Sequence, residues 1–324
     1  MNEVMVSIIC LCYNQEQYIE KCLESLIHQK FKYSYEIIIH DDCSTDNSKC
    51  IIEKYAKLYP NIIKPIFETE NQFKKRGLGK MFRECACSVI SLETKYVAIC
   101  EADDYWCDRL KLQKQVDALE ENQNCGLCLA KVLKITDSDE NMNEYLPPTY
   151  IQNGVIKSRD FIRMVCCEDY AFQTSSYMFR MDYFRQLRTI PKFIEVCNIY
   201  DQVLQLFFGN KADVYYINEV MSCYRVLSKG SWTSKNLFDI QPFLDHQRNM
   251  IETMEEYNKY TNGQYDDYCT YFINKRKWKI AYLNGDHREL LKKEYRQFFK
   301  QLSFKEKSFI FICAYFPKLM SFKH

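Results

Sequence analysis

Three carboxylates, Glu101, Asp103 and Asp104, follow directly after a short apolar run in the first half of the chain. The run, residues 96–100, has the length and composition of a buried parallel strand. In open α/β sheets, ligands bind at the carboxyl ends of such strands. Oxygen ligands suit a hard divalent cation, which would in turn hold the oxygens of a diphosphate. The residues predict a metal and diphosphate site; the alternative is a solvated acidic turn that caps a helix beginning near Asp108.

Apolar strands and amphipathic helices alternate through the part of the chain that leads to these carboxylates. The runs 6–12, 35–40 and 62–67 predict three earlier strands, and residues 19–27 and 51–59 carry apolar side chains at helical spacing. Parallel neighbours need helical crossovers, so the alternation predicts a parallel, doubly wound sheet. The carboxyl ends of its strands would meet at one edge, where the polar residues that follow them would converge.

The polar residues after the first three strands are the other candidates for binding. Tyr13, Asn14 and Glu16 follow the first strand, and Asn14 is also the predicted N-cap of the first helix. An acidic and hydroxyl-rich segment containing Asp42 follows the second strand. Arg76 lies in a polar, glycine-containing loop after the third.

Three segments in this order resemble the successive motifs of bacterial family-two glycosyltransferases. They read Tyr-Asn-x-Glu-x-Tyr-Ile, Asp-Asp-x-Ser-Thr-Asp-x-Ser and Glu-x-Asp-Asp-Tyr-Trp, the last followed by Lys-Leu-x-x-Gln at 111–115. The resemblance covers roughly residues 4–232. It implies the α/β GT-A fold, which is a Rossmann-like, mostly parallel central sheet flanked by helices. It also implies an inverting enzyme that uses a nucleoside diphosphate sugar.

The resemblance assigns nucleotide-sugar binding to residues of the loops after the first four strands: Tyr13, Asn14, Glu16, Asp42, Arg76 and Asp103. In this family the second aspartate after strand two, here Asp42, hydrogen-bonds the base, and a carboxylate can accept from a uracil imino group. The alternative for Asp42 is a helix-capping loop, a task that Ser44 or Asp46 could already perform. Arg76, or alternatively Lys80, would lie over the nucleotide.

The family's Asp-x-Asp pattern is altered here, since Glu101 stands at its first position. Asp103 and Asp104 keep the remaining carboxylates, and the resemblance implies Mg²⁺ or Mn²⁺ bound through one of them. That ion would neutralise the charge that develops on the departing nucleoside diphosphate. Related enzymes also carry a histidine two residues after an arginine that corresponds to Arg225. Leu227 stands there, so no metal ligand is predicted in that segment.

Asp201 stands at the start of a predicted helix, 200–209, that ends at a glycine. Its position matches the catalytic base of the family. Attack by a sugar hydroxyl on the anomeric carbon, opposite the departing diphosphate, needs one group to accept the hydroxyl proton. The alternative is an aspartate favoured at a helix start by the helix dipole. Glu168, Asp169 and Glu195 are the other candidate bases.

Charge is distributed unevenly along the 324 residues, although the net charge is only +1. Residues 275–324 carry 13 basic and 4 acidic side chains, a net charge of +9, together with many aromatic residues. The apolar run 309–316 is shorter than the roughly 20 residues needed to cross a bilayer. These features predict an interfacial helix on an anionic membrane; a helix packed on the protein body or in a dimer is the alternative. No nucleic-acid recognition module accompanies the basic residues, so nucleic acid is not an expected partner.

The cysteines and the first residues of the chain indicate the compartment in which the protein is expected to work. The 17 cysteines are scattered and mostly apolar in context, without paired zinc-type motifs, and no signal peptide precedes the first strand, which favours a reducing cytoplasm. Residues 1–232 are predicted to form the catalytic domain, and 233–324 a helical C-terminal extension with the basic, apolar tail.

The predicted activity is metal-dependent transfer of a hexosyl or N-acetylhexosaminyl group, from a donor that is expected to be a UDP-sugar. The acceptor would be a glycan hydroxyl, possibly on a lipid-linked intermediate of surface polysaccharide biosynthesis, at the inner face of the plasma membrane. Two alternatives stay open. A nucleotidyltransferase of related fold would be expected to have a glycine-rich loop after the first strand, where residues 13–16 contain no glycine. The other is a non-catalytic nucleotide-sugar-binding protein.

Overall fold

The computed structural model describes residues 4–76, 94–168, 172–226 and 239–315. The chain divides into two compact units, Met1–Lys235 and Asn236–His324. The first unit is an α/β structure with a central sheet and flanking helices, as the alternation of strands and helices predicts.

The sheet of the first unit contains ten described strands, which in chain order are β1 Val4–Cys12, β2 Ser34–Asp41, β3 Ile63–Phe67, β4 Tyr96–Ile99, β5 Tyr105–Trp106, β6 Cys125–Ile135, β7 Asn141–Leu146, β8 Gly154–Ile156, β9 Met178–Arg180 and β10 Asp213–Arg225. Their order in the sheet is β3-β2-β1-β4-β9-β6-β10-β5, with β7 paired to β6 and β8 paired to β10.

The described helices of this unit are α1 Ile19–Ile27, α2 Ser48–Leu58, α3 Gln72–Arg76, α4 Lys111–Glu121, α5 Ser158–Cys167, α6 Met181–Phe184, α7 Lys192–Val196 and α8 Tyr200–Lys211. Helix α1 buries the apolar stripe that its spacing predicts, with Ile19, Cys22, Leu23 and Leu26 fully enclosed. Each such side chain contributes about 1.5–3 kcal/mol when removed from water. Burial of this stripe therefore holds α1 against the sheet.

Strands β3, β2, β1 and β4 are all parallel, as predicted. Cys12 lies beside Asp41 in the register of β1 and β2, and Ile9 lies beside Ile99 in that of β1 and β4. The loops that follow β1, β2 and β4 therefore leave the sheet at the same edge, which is the geometric premise of the predicted site.

Beyond β4 the sheet is mixed and departs from the simple doubly wound pattern. Strand β9 runs antiparallel to both of its neighbours, with Tyr96 of β4 opposite Arg180 and Leu127 of β6 opposite Phe179. Because β9 is reversed, its amino-terminal end lies at the carboxyl end of β4. The residues just before β9 are thereby brought beside the carboxylates that follow β4.

Two local predictions were wrong. Helix α1 begins at Ile19 after Tyr18 and has no side-chain cap; Asn14, the predicted N-cap, adopts φ +53° and accepts a hydrogen bond from the Thr45 amide instead. The apolar runs 214–217 and 221–226 predict two strands, but residues 213–225 form one continuous strand, β10, with irregular register against β6. In both places a partner distant in sequence decides the outcome.

The second unit is helical, as predicted for the C-terminal extension. Its described elements are α9 Ile240–Tyr260, α10 Asp266–Leu283, the 3₁₀ turns Glu289–Leu291 and Lys293–Tyr295, α11 Arg296–Gln301 and α12 Phe304–Tyr315. In the ranges that the structure describes, no helix combines the length and apolar character needed to cross a bilayer.

Gly209 was predicted to end α8, but the helix continues to Lys211. A Cβ atom at position 209 would lie 2.5 Å from Cδ1 of Phe161 on α5. The glycine therefore permits the close approach of the two helices and has no role in ending α8.

Replacing Gly209 with alanine should lower the free energy of unfolding by up to about 2 kcal/mol. The overpacking against Phe161 costs about 1–3 kcal/mol, which outweighs the gain of about 1 kcal/mol in helix propensity. Urea denaturation measures the change, and Asn210→Ala on the same helix serves as the matched control. A stability of Gly209→Ala above that of the wild type would show that Phe161 moves aside without cost.

Candidate active site

The loops that follow β1 and β2 are joined by reciprocal hydrogen bonds. The Asn14 amide N–H donates to Ser44 Oγ at 2.9 Å, and Asn14 Oδ1 accepts from the Thr45 N–H at 2.7 Å. The Glu16 N–H donates to Asp46 Oδ2 at 3.0 Å. These bonds hold the two loops as one rim of the sheet edge. Asn14 and Glu16 thus help to build the rim.

Tyr13 and the segment around Asn14 lie on the exposed side of this rim. The Tyr13 side chain is 36% exposed, and the Glu16 carboxylate accepts from the Asn47 amide at 2.9 Å. Part of the predicted base-binding loop is therefore accessible to a ligand.

Asp42 is buried beneath the rim and has a structural task that the sequence did not reveal. Its Oδ1 accepts from the Gln72 N–H at 2.6 Å and its Oδ2 from the Phe73 N–H at 3.1 Å. The carboxylate thereby holds the start of α3, a helix whose last residue is Arg76. The capping interpretation was considered only for the helix after β2, where Asp46 indeed accepts from the Ser48 N–H. The Arg76 side chain and Lys80 lie outside the described residues.

The carboxylates after β4 are held by the segment that precedes β9. Thr174 Oγ1 donates to Glu101 Oε2 at 2.9 Å, and Gln173 Nε2 donates to Asp104 Oδ2 at 2.7 Å. The other oxygen of Asp104 accepts from the Arg225 backbone N–H at 3.0 Å, and Asp104 is only 1% exposed. Both oxygens of Asp104 are therefore engaged by the protein.

Electrostatics show that four carboxylates share this site. Burial raises the pKa of Glu101 to about 7, and the negative charges of Asp103 and then Asp201 add to the effect. Burial also raises the pKa of Asp104 well above its ordinary value, again with contributions from Asp103 and Glu101. The charge of Asp201 acts on Glu101, so Asp201, from a distant part of the chain, lies within electrostatic range of that carboxyl.

Asp201 occupies the first turn of α8, where its Oδ1 accepts from the Gln202 N–H at 2.7 Å. Burial raises its pKa. Of the other candidate bases, Glu168 forms an ion pair with Arg163, and Glu195 is exposed on α7. Asp169 lies outside the described residues. The structure therefore brings Asp201 to the acidic site.

Arg225 is a site residue whose role the sequence did not predict. It is 2% exposed, and its guanidinium donates from Nε to the Asp103 carbonyl at 3.0 Å and from Nη2 to Asp139 Oδ1 at 2.6 Å. It joins the end of β10 to the acidic turn.

Residues 106–115 form a second layer of hydrogen bonds beneath the carboxylates. Trp106 Nε1 donates to the Ser175 carbonyl at 2.9 Å, and Gln115 Nε2 donates to the Ser176 carbonyl at 2.7 Å. Lys111 Nζ donates to Gln115 Oε1 at 2.6 Å and lies 4.0 Å from the Trp106 ring centroid. This layer holds the 3₁₀ turn Thr174–Ser176 from below, so its residues position the donors to Glu101 and Asp104.

The carboxylates after β4 offer oxygens, which are the ligands that Mg²⁺ and Mn²⁺ accept. A bound cation would relieve the repulsion that raises the pKa values of Glu101 and Asp104. In the described ranges, however, no three His, Cys, Asp or Glu side chains are arranged as a ligand set. Each oxygen of Asp104 accepts one hydrogen bond, from Gln173 or from Arg225, so a cation at Asp104 would share these oxygens with the protein. This suits a cation that takes its remaining ligands from phosphate and water.

The buried Lys111 gives the second layer a pH dependence that can be measured. Burial lowers its pKa from 10.5 to about 7. Between these values the unfolded chain binds the proton more strongly than the folded protein does, so stability rises with pH. The free energy of unfolding of the wild type, relative to Lys111→Met, should rise by up to about 1.4 kcal/mol per pH unit above pH 7. Chemical denaturation between pH 7 and 9 measures this.

The matched control is Lys114→Met, on the same helix. Asp108 and Glu219 raise the pKa of Lys114, so it stays protonated throughout the window, and the difference from the wild type should be constant. A constant difference for Lys111→Met as well would show that the buried amine does not titrate there.

Comparisons with known proteins agree with this geometry. The sequence profile described as "Glycosyl transferase family 2" matches residues 7–188. An uncharacterized Mycobacterium tuberculosis protein, Rv1520, is 30% identical over 232 residues, which are 71% of this chain and 61% of that protein. The chain thus spans less than two thirds of this relative's length.

Two solved structures are similar in fold. Staphylococcus aureus TarS, residues 1–349 in complex with UDP-GlcNAc, superimposes with a TM-score of 0.63 at 18% identity, covering 96% of this chain and 79% of that one. The mannosyltransferase PcManGT from Pyrobaculum calidifontis, in complex with GDP-Man and Mn²⁺, gives 0.51 at 15% identity, with 97% and 87% covered. At these identities the likeness establishes the fold, and the predicted GT-A class is confirmed.

Proposed function

Because the chain belongs to glycosyltransferase family 2, we propose that it transfers a sugar, with inversion, from a nucleoside diphosphate sugar to a hydroxyl of a glycan. The donor is a UDP-sugar that carries a hexose or an N-acetylhexosamine. One observation carries the proposal: Asp201 lies within electrostatic range of Glu101, which follows β4 at the sheet edge where the loops after β1 and β2 also end. A base, a diphosphate site and a nucleotide rim at one edge are what such a transfer requires.

Asp201 is the proposed catalytic base. As the acceptor hydroxyl attacks the anomeric carbon, its proton passes to an Asp201 oxygen and the bond to the diphosphate breaks on the opposite face. Inversion follows from this single displacement. Burial raises the pKa of Asp201, which makes its carboxylate a better proton acceptor than an exposed one. Its Oδ1 is oriented by the Gln202 amide.

Asp103 is the proposed protein ligand of Mg²⁺ or Mn²⁺, and Asp104 is its partner in the acidic site. The bound cation supplies positive charge that stabilises the departing nucleoside diphosphate. Asp104 holds the turn through Gln173 and Arg225, which keeps the Asp103 backbone in place. The Mn²⁺ in the complex of the similar mannosyltransferase supports this choice of cation.

The rim formed by the loops after β1 and β2 is the proposed site for base and ribose. Tyr13, Asn14 and Glu16 would frame them, and Arg76 would approach from α3. A carboxylate offers about four acceptor positions, and α3 uses two of those on Asp42. Asp42 can therefore hold α3 and also accept from a uracil imino group.

The acceptor is proposed to be a glycan, free or lipid-linked, in the biosynthesis of a surface polysaccharide. Buried thiols such as Cys10, Cys100 and Cys128 suit the reducing cytoplasm, where we place the reaction. A lipid-linked acceptor would bring the enzyme to the inner face of the plasma membrane, so peripheral association with that membrane is part of the proposal.

Asp201→Asn tests the catalytic assignment. We expect UDP release in the presence of acceptor glycosides to fall by about 10²–10⁴-fold, the usual contribution of a general base, while thermal stabilisation by the UDP-sugar is retained. Glu195→Gln, an exposed carboxylate on α7, is the control and should leave the rate unchanged. An Asp201→Asn enzyme with the wild-type rate would remove this residue from the mechanism. Donor binding by the wild type with no transfer to any acceptor would favour the non-catalytic alternative.

Asp103→Asn tests the cation and the donor together. A thermal-shift series with UDP-GlcNAc, UDP-glucose and UDP, with and without MnCl₂, should show the largest rise in Tm with a UDP-sugar and Mn²⁺. A ligand at about 100 times its Kd stabilises by about 2.7 kcal/mol. Asp103→Asn should lose the Mn²⁺-dependent part of the rise, whereas Asp117→Asn on α4 should retain it.

Two results would contradict this assignment. An Mn²⁺-dependent rise that is unchanged in Asp103→Asn would place the cation elsewhere. Stabilisation by nucleoside triphosphates but by no nucleoside diphosphate sugar would favour the nucleotidyltransferase alternative.

A further inference from the structure

Helix α12, Phe304–Tyr315, is apolar on two opposite sides. One side is packed inside the second unit: Ile310 and Ala314 are 1% and 2% exposed, and Ile310 belongs to a small core with Ala281 and Leu290. Arg288 Nε donates to the Ala314 carbonyl at 3.0 Å and secures the end of the helix. The helix is therefore held by its own unit through one side only.

The other side presents large apolar residues to solvent. We call these residues the aromatic face: Phe304, Phe309, Phe311, Ile312 and Tyr315. At 100° per residue they lie on the half of the helix opposite Ile310. Phe304 is 85% exposed, and the rings of Phe311 and Tyr315 contact each other at 4.7 Å between centroids. A contiguous apolar surface of this kind is typical of a docking site.

Basic residues lie on the aromatic face and in the segment that precedes α12. Lys305 lies within this face by helical position, and exposed Lys292, Lys293, Arg296 and Lys300 precede it in the chain. Over 292–307 six basic residues stand against two acidic ones. One of the acidic residues, Glu306, accepts from the Ser303 N–H and hydroxyl at the start of α12 and is thus engaged locally. The partner of this face must accommodate apolar side chains and carry negative charge.

We propose that the aromatic face of α12 inserts into the surface of an anionic lipid bilayer, with the surrounding lysines and arginine on the lipid phosphates. Twelve residues of helix span about 18 Å, which is short of the hydrocarbon thickness, so α12 lies along the membrane surface. Aromatic residues beside basic ones are the composition of an interfacial helix. A symmetric contact between two copies would instead bring their positive charges together. This inference rests on the proposed function, for which it identifies the membrane-binding surface and the lipid class.

Co-sedimentation of the full chain with vesicles tests the inference. One set of vesicles contains equimolar phosphatidylglycerol and phosphatidylcholine, and the other contains phosphatidylcholine alone. The wild type should sediment with the anionic set and bind the neutral set roughly tenfold more weakly. Phe311→Glu combined with Ile312→Glu should weaken anionic binding roughly tenfold or more. These side chains are already exposed, and an unchanged Tm confirms that the variant folds.

The matched control is Ile240→Glu, which changes an apolar residue of the same unit that is 66% exposed, on α9. It should bind vesicles as the wild type does. Lys300→Gln combined with Lys305→Gln should weaken binding to anionic vesicles and leave the weak binding to neutral ones unchanged.

Equal binding by the wild type and the Phe311 and Ile312 variant would overturn the inference, as would failure of the wild type to bind anionic vesicles. A wild-type dimer in light scattering that the variant converts to a monomer, without vesicle binding, would assign the face to a second copy and also overturn it. Thermal stabilisation by UDP-sugar, measured on the same preparations, reports separately on the proposed function. Its persistence when vesicle binding fails would leave that proposal standing.

Discussion

Close packing of carboxylates in a largely buried site is the constraint on which the rest of the structure depends. Glu101, Asp103, Asp104 and Asp201 repel one another, and burial removes the water that would otherwise stabilise their charges. Such a cluster persists only if the fold supplies hydrogen-bond donors. The structure supplies them from two distant segments, the residues before β9 and the end of β10. The acidic site is thus the point at which the two halves of the sheet are joined.

The reversed direction of β9 follows from this requirement. An antiparallel strand beside β4 places its preceding residues at the carboxyl end of β4, where Gln173 and Thr174 meet the carboxylates. A parallel strand would place them at the opposite edge. Trp106 and Gln115 then hold the same segment from below by donating to its carbonyls. The backbone that carries Gln173 and Thr174 is therefore held in place independently of the hydrogen bonds that their own side chains make.

Carboxylates at the sheet edge divide into two groups. Asp42 and Asp104 are almost fully buried and use both oxygens to hold backbone or side-chain donors. Asp103 and Asp201 form the second group. The proposed function assigns cation binding to Asp103 and proton transfer to Asp201. The hydrogen bonds of Asp42 and Asp104 fix the backbone around them, and Asp103 lies on the turn that Asp104 holds. A substitution in either pair is therefore expected to reduce transfer, for different physical reasons.

Local patterns in the sequence determined strands β1 to β4, helices α1 and α2, the parallel arrangement of these four strands and the edge at which their loops meet. Periodicity and apolar runs act over a few residues, so they can be read without the fold. Only the tertiary structure decided the direction of β9, the roles of Gln173 and Arg225, and the attachment of Asp42 to α3. These depend on contacts between residues 30 to 122 positions apart. Asn14 shows the same limit, because its bond to Thr45 replaced the helix cap that local propensity favoured.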